Sequence, residues 1–405
     1  MELFDALYVI DGAPQEDTPR HLLMGETSSF VGESALSDVA GERAPVAGEP
    51  ADEGLVLSDE TVDPHLTAWE YNERDIPVYL EKVAAYPYPF SLRYPASSAR
   101  LALASALADT LWYEGHFTFD QLRLQLEWRW DEKALGALAA FYQACEALGE
   151  YLESLRLDVD ALEHHSAPVC DLIPHITIPS AANAAQPANP AQPAGEMPAR
   201  KVPARMLPQE DTWLLYLPLD PCAFALGGSL LSKICGNAGD GPVEVGDGDY
   251  LMDVYEIVRE MVEDGIVLSA VTVARGGLMT ALSEWCAPCL KGAASSNGLR
   301  AGADGASLQP GADLDIAPLM KAYDLSETNE TDRARVLFGE VPAVLLQIRD
   351  EDYDYVDAQC LLQDVAYYAL GRPVVSAAGD AHPRINISHN PVPVLSSLLQ
   401  ALISR

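Results

Sequence analysis

A repeating pattern of apolar residues between positions 249 and 265 predicts an amphipathic helix. Its apolar positions are Met252, Val254, Ile257, Val258, Met261 and Val262. This spacing matches the period of an α-helix, and Gly265 is a typical helix terminator. The apolar run 266–273 then predicts a strand, and Gly276 and Gly277 precede a second helix that begins near Leu278. This order predicts a compact α/β unit in which the two glycines let the backbone approach a ligand or a neighbouring element.

Similar patterns predict the other elements of the chain. Helices are expected over 96–112, 119–130, 132–155 and 353–369. The last of these is expected to end at Gly371, with Pro373 beyond it. Strands are expected over 214–217, 344–348 and 374–375. Strands therefore alternate with helices along the chain, and no internal repeat is visible.

A low-complexity tract predicts the boundary between two domains. Residues 181–208 are rich in Ala, Pro, Gln and Asn, and such a composition buries too little apolar surface to fold alone. We therefore expect one domain over 1–180 and another over 209–405, joined by this linker or insertion. The acidic segment 33–63 is predicted to be a loop in the first domain. The Gly/Ala-rich segment 292–313 is predicted to be an insertion in the second.

Composition narrows the class of protein. The chain has 405 residues, of which 49% are hydrophobic, which is enough for two or three domains with a substantial core. No run approaches the ~18 apolar residues that a membrane span needs, and the acidic start MELFDALYVIDG does not resemble a signal peptide. The net charge of −36 repels phosphates, so we expect no nucleic-acid partner. A cytoplasmic protein without a membrane partner is expected, and a local nucleotide site remains compatible with this charge.

Cysteines and histidines give no metal site. The seven cysteines are odd in number and scattered, which fits a reducing compartment. Cys286 and Cys289 form one close pair, which would be half of a zinc site or a redox motif. Neither a second pair nor suitably spaced histidines accompany it, so we interpret the two as ordinary thiols. His164, His165 and His175 follow no ligand spacing either.

Three motifs in the second half of the chain resemble one family. The motif residues are Gly227, Gly228 and Ser229 in an LGGS turn, Gly276 and Gly277 followed by Glu284 in a GGL…ALxE segment, and Glu340 in an LFGE segment. In this order, over roughly 210–380, they resemble the C-terminal domain of the aminoimidazole ribonucleotide synthetase superfamily. The resemblance is strongest to the second half-module of formylglycinamidine ribonucleotide synthase. A weaker likeness extends upstream through 135–149.

The resemblance implies a fold and a chemistry. The fold would be α+β, with an N-terminal sheet domain that forms a barrel across a dimer or pseudo-dimer and a C-terminal α/β domain. The partner would be a second copy or a homologous half-module. The family reaction activates an amide oxygen with ATP and displaces it with nitrogen, so ATP or ADP with magnesium is the implied cofactor.

The matched residues can be interpreted in two ways. Glu284 and Glu340 would lie near the nucleotide cleft, or else be ordinary surface and turn carboxylates. Arg275, beside the Gly-Gly pair, would face an anionic ligand at a helix N-terminus, or else be solvated. The turn at Gly227 and Gly228 would bind an anion or serve only as a turn.

The chain departs from the family pattern where the family has acids. Thr272, Ala274 and Arg275 stand at positions where relatives have Asp, Ser and Asp. An early phosphate-binding segment is not evident; Asp11-Gly12 and the segment 25–29 are the nearest candidates. No glutaminase cysteine with a later His-x-Glu is visible, so ammonia would have to come from a glutaminase partner.

Two functional interpretations follow from the match and its departures. The first is a synthase module, or a stand-alone relative, that is weakly catalytic or holds a nucleotide. The second is a degenerate, non-catalytic member that acts through protein–protein contacts, as gammaherpesvirus tegument proteins related to this synthase do.

Overall fold

The structure is a computed structural model, and it describes residues 3–25, 36–38, 90–178, 198–235, 241–286, 308–327, 329–377 and 385–387. Its helices are α1 (Pro19–Met24), α2 (Pro95–Thr110), α3 (Ala137–Leu155), α4 (Leu230–Cys235), α5 (Gly248–Glu263), α6 (Gly277–Cys286), α7 (Ala317–Ala322), α8 (Glu330–Phe338) and α9 (Tyr353–Leu362). Its strands are β1 (Tyr8–Ile10), β2 (Ala13–Pro14), β3 (Leu36–Asp38), β4 (Arg123–Trp130), β5 (Val159–Ser166), β6 (Asp171–Thr177), β7 (Thr212–Pro218), β8 (Val267–Val273), β9 (Leu308–Leu314), β10 (Ala343–Arg349), β11 (Tyr368–Ala377) and β12 (Ile385–Ile387). The predicted α+β class is confirmed.

The first half of the chain is built around a three-stranded sheet in the order β5-β4-β6. Its central strand β4 corrects the predicted helix over 119–130. In β4 the side chains alternate, with Leu124, Leu126, Trp128 and Trp130 fully buried between exposed or half-buried polar residues. This period of two is that of a strand with one face on a core. Only a single 3-10 turn, Phe119–Gln121, precedes it.

Segments at the beginning of the chain are anchored to the start of α3. The carboxylate of Asp38 in β3 accepts hydrogen bonds from the backbone amides of Gly136, Leu138 and Ala139 at 2.9–3.1 Å, and so caps that helix. The ring of Phe90 packs edge-on against Trp130 with centroids 5.1 Å apart, and Trp130 donates to the carbonyl of Ala137. Apart from β3, the predicted acidic loop 33–63 lies outside the described residues.

The second half of the chain is built around a six-stranded sheet in the order β12-β9-β11-β7-β10-β8. All of its pairs are antiparallel except β12 with β9. The strands predicted at 214–217, 344–348 and 374–375 lie within β7, β10 and β11. Strand β9 occupies the end of the segment that was predicted to be an insertion, and the rest of that segment, 292–307, lies outside the described residues.

The predicted helix over 353–369 is too long. Helix α9 ends at Leu362, and the chain turns at Asp364, whose φ is +54°. The tyrosine-rich stretch that follows enters β11, where it pairs with β7. Gly371 and Pro373 are therefore residues of a strand and do not terminate a helix. Pairing with a buried neighbouring strand overrides the local helical preference.

The two halves pack against each other through buried polar contacts. The guanidinium of Arg259 in α5, only 4% exposed, donates to the carbonyls of Leu111, Tyr113 and Gly115 at 2.6–3.0 Å. The end of the predicted linker, 198–208, takes part as well: the amide of Lys201 donates to Trp112. The rest of that tract, 181–197, lies outside the described residues.

Candidate functional site

A cavity of about 470 Å³ lies between the two halves of the chain. Helix α2 and the start of β6 form one wall, and turns of the second half form the other. Five of the eight motif residues singled out in the sequence line it: Gly227, Gly228, Ser229, Arg275 and Glu340. Gly276 and Gly277 follow directly behind Arg275. The fold thus brings three motifs that are far apart in the sequence to one site.

Glu340 ties two of these motifs together. Its Oε1 atom accepts a hydrogen bond from the backbone amide of Leu230, just after the LGGS turn, at 2.8 Å. The same atom accepts another from the amide of Gly276, also at 2.8 Å. One half-buried carboxylate oxygen therefore occupies the position that an anion would take between the two turns.

Three further amides of the glycine turns are engaged as well. The amide of Gly227 donates to the carbonyl of Gly241, and that of Ser229 donates to Leu226. The amide of Gly277 donates to Ala274. These three amides are therefore not free to donate to a phosphate.

Close packing explains why two of these positions are glycine. At Gly277, with φ of +69°, an added Cβ would lie 2.7 Å from the backbone carbon of Phe338. At Gly228, with φ of +77°, it would lie 2.9 Å from the ring of Tyr94. Both positions combine a left-handed backbone with a contact that has no room for a side chain. The Gly-Gly turn therefore packs directly onto the LFGE segment.

The lining of the cavity has one more negative than positive side chain. Among its lining residues, Asp171, Arg275 and Glu340 carry charge. Burial raises the pKa of Asp171, and the nearby positive charge of Arg275 opposes that rise. Two carboxylates against one guanidinium leave the wall without the excess of positive charge that a triphosphate needs.

Thr272, which stands where relatives have an acid, points at the first half of the chain. Its hydroxyl donates to Oδ1 of Asp109 at 2.7 Å and accepts from the indole nitrogen of Trp112 at 3.0 Å. Burial raises the pKa of Asp109, while the hydrogen bond from Thr272 and the charge of Arg200 lower it. Thr272 thus joins the two halves instead of offering a ligand to an ion.

Glu284 does not line the cavity. Its side chain is exposed on α6, and its carbonyl accepts a hydrogen bond from Arg205. Cys286 is buried at the end of α6, and Cys289 lies outside the described residues. Within the part of the chain that the structure describes, no three His, Cys, Asp or Glu side chains are grouped as a metal site. Among the described residues of the lining, Asp171 and Glu340 are the only carboxylates, and Glu340 already accepts two backbone hydrogen bonds.

The weak phosphate candidates near the beginning of the chain have other roles. Asp11 and Gly12 have φ of +51° and +78° and form the two-residue turn between β1 and β2. Asp-Gly is a common pair in such a turn. Gly25 ends α1 in the left-handed conformation, and the remainder of the segment 25–29 lies outside the described residues.

Sequence reasoning missed the wall that the first half contributes. Asp171 and the serines of α2 line the cavity, and no motif marks them. The only available signal was the pair Ser97-Ser98 near the start of a predicted helix, and such a pair is common. Ser97 donates to the carbonyl of Val243 at 2.6 Å, which adds a further bond between the halves.

The glycine turns and the LFGE glutamate resemble motifs of the aminoimidazole ribonucleotide synthetase superfamily, and comparison with known proteins confirms the resemblance of the chain as a whole. Among solved structures, the Thermotoga maritima PurL protein complexed with ATP is 13% identical with a TM-score of 0.43. That match covers 76% of this chain and 42% of the PurL chain. No family model matches the chain.

The chain is similar in sequence to phosphoribosylformylglycinamidine synthases. It is 26% identical to the human synthase over 305 residues, which cover 75% of this chain. It is 25% identical to the Drosophila melanogaster synthase over 283 residues, which cover 68% of this chain. The matches span only 20% and 19% of those two relatives. Among the described residues, no helix has the length and apolar character needed to cross a bilayer.

Proposed function

We propose that this chain is a synthase-type module that takes part in amidine formation only within a larger assembly and does not catalyse the ATP-dependent step alone. The observation that carries the proposal is the position of Glu340. Its carboxylate accepts from the amides beside both glycine turns, at 2.8 Å each, so neither amide is free to bind a phosphate. A homologous half-module or a second copy, together with a glutaminase partner, would supply the missing functions.

The electrostatics of the cavity support the same proposal. A triphosphate without a bound cation brings a large negative charge to a wall that holds two carboxylates and one guanidinium. Any ATP or ADP held in the cavity therefore depends on Arg275. No acid stands at Thr272 or Arg275, the two positions where relatives have Asp, so two family carboxylates that could serve as oxygen ligands for magnesium are absent.

Two measurements test this proposal. In an assay with formylglycinamide ribonucleotide, ATP, magnesium and ammonium salt, we expect no turnover from the chain alone. A rate above about 0.1 s⁻¹, which is tenfold below ordinary enzyme rates, would contradict it. Isothermal titration with ATP should show weak binding, with and without magnesium.

The weak binding should depend on Arg275. We expect Arg275→Ala to abolish it, because this change removes the positive charge from the cavity wall. Arg123→Ala is the matched control: it removes an arginine that is paired with Asp160 on the exposed side of β4. Equal ATP affinity in the two variants would show that Arg275 does not hold the nucleotide.

A second candidate function is a non-catalytic relative that acts through protein contacts. A specific observation favours it: most of the large apolar side chains exposed in the described chain lie together on one helix, α9. Exposed apolar patches of this kind are typical of protein-binding sites.

A further inference from the structure

Helix α9 carries an apolar patch on its exposed side. Four large hydrophobic side chains are exposed among the described residues, and three belong to this helix: Tyr355 at 37%, Leu361 at 77% and Leu362 at 79%. Ala358 is exposed between them. Positions 355, 358 and 362 are spaced by three and four residues, so their side chains lie along one side of the helix, with Leu361 beside them.

The patch is not needed to hold α9 in place. The opposite side of the helix is already packed, since Val356 and Cys360 are fully buried. At its first turn, Tyr353 packs against Trp213 with ring centroids 5.3 Å apart. The helix is therefore fixed to the protein by one side and presents a second apolar side to solvent.

Acidic residues surround the patch. Asp354 and Asp357 lie on α9, Asp364 follows its end, and no lysine or arginine lies between 353 and 364. Glu260 and Asp264, at the end of α5, lie close enough to Tyr355 for their negative charges to act on its hydroxyl. Its pKa is raised by partial burial and by these two carboxylates.

The nearest arginines do not offset this negative charge. Arg349 pairs with Asp352 at 3.1 Å. Arg372 pairs with Asp350 at 2.6 Å and stacks on Trp213. The surroundings of the patch therefore remain negative at neutral pH.

We propose that the patch of Tyr355, Ala358, Leu361 and Leu362 is a docking surface for an amphipathic helix of a partner protein, with apolar residues on one face and lysines or arginines along its borders. The apolar side chains of the partner helix would cover Leu361 and Leu362. Its lysines or arginines would pair with the acidic residues around the patch, such as Asp354, which form an acidic rim. A second copy of this chain fits poorly, because it would bring another acidic rim and a net charge of −36 to the same contact. The inference deepens the second candidate function and rests on it.

The test uses the full chain and a fluorescein-labelled synthetic helical peptide with leucines on one face and lysines on the other. Fluorescence anisotropy should show saturable binding. Control peptides, with glutamates in place of the lysines or serines in place of the leucines, should not bind. The double variant Leu361→Ser/Leu362→Ser should bind at least about tenfold more weakly, a loss of about 1.4 kcal/mol. This variant keeps every charge, so it separates the patch from general attraction to an acidic protein.

Leu135→Ser is the matched control, because Leu135 is also exposed, at 50%, but lies just before α3. It should bind the peptide as the unchanged chain does. No binding to the unchanged chain, or equal binding by both leucine variants, would overturn the docking surface. Self-association that the double variant abolishes would place a second copy on the patch and overturn it too. The assay of amidine formation tests a different claim. Turnover by the chain alone would contradict the second candidate function, a non-catalytic relative, whether or not the peptide binds.

Discussion

Replacing Glu340 by alanine should weaken the connection between the two glycine turns. The variant loses two hydrogen bonds of 2.8 Å from backbone amides to a carboxylate oxygen. A hydrogen bond to a charged group contributes about 1.5–3 kcal/mol, and the half-buried position places each bond at the lower end of that range. Water in the cavity can accept hydrogen bonds from the freed amides, which offsets part of this loss. We therefore expect Glu340→Ala to lower the free energy of unfolding by about 2–3 kcal/mol.

Urea unfolding followed by tryptophan fluorescence measures this loss as a shift of the midpoint at constant slope. Glu340→Gln keeps an oxygen acceptor in place and should lose less than about 1 kcal/mol. Glu284→Ala, which removes an exposed motif glutamate outside the cavity, should stay within about 0.5 kcal/mol of the unchanged chain. If Glu340→Ala and Glu284→Ala had the same free energy of unfolding, the role of Glu340 in linking the two glycine turns would be refuted.

The same variant distinguishes a structural role of Glu340 from a role in binding the nucleotide. Glu340→Ala removes a negative charge from the cavity and frees the amides of Leu230 and Gly276. ATP affinity, measured by isothermal titration, should therefore rise. A fall in ATP affinity would mean that Glu340 helps to hold the nucleotide, and it would refute the reasoning behind the proposed function.

Three further predictions concern stability. Gly277→Ala should lower the free energy of unfolding by about 2–4 kcal/mol in urea titrations, because a left-handed residue would have to fit a side chain against the backbone of Phe338. Arg259→Met should cost about 3–5 kcal/mol by thermal or urea unfolding, since it leaves buried carbonyls without donors. The pKa of Glu127 is lowered below its ordinary 4.5, chiefly by a hydrogen bond with His175. Its contribution to stability is present above pH 4.5 and is lost as the pH falls through the lowered value, so Glu127→Gln should flatten the acid side of a stability–pH curve.

Strong local periodicity made part of the fold predictable. The helix ending near Gly265, the strand after it and the helix behind Gly277 correspond to α5, β8 and α6. Each has a one-sided apolar pattern or an uninterrupted apolar run, so its local sequence agrees with its final environment. The segment 119–130 was wrongly predicted to be a helix, although the alternation of Leu124, Leu126, Trp128 and Trp130 is itself the pattern of a half-buried strand.

The motifs of the site could be recognised in the sequence, but the contacts that their residues make could not. The LGGS, Gly-Gly and LFGE segments converge at one cavity. Glu340, however, bonds to amides more than sixty positions away along the chain, at Leu230 and Gly276. Likewise, Thr272 meets Asp109 across the two halves. Contacts of this kind are set by how the sheets and helices pack, and no local pattern in a single sequence records them.

The anchoring of the early segments to the start of α3 links two parts of the chain that are far apart in the sequence. Asp38 bonds to Gly136, and Phe90 packs on Trp130, which itself bonds to Ala137. Asp38 and Phe90, on either side of the interval 39–89, are therefore held at one place on the fold. A substitution that unwinds the first turn of α3 would release both of them at once.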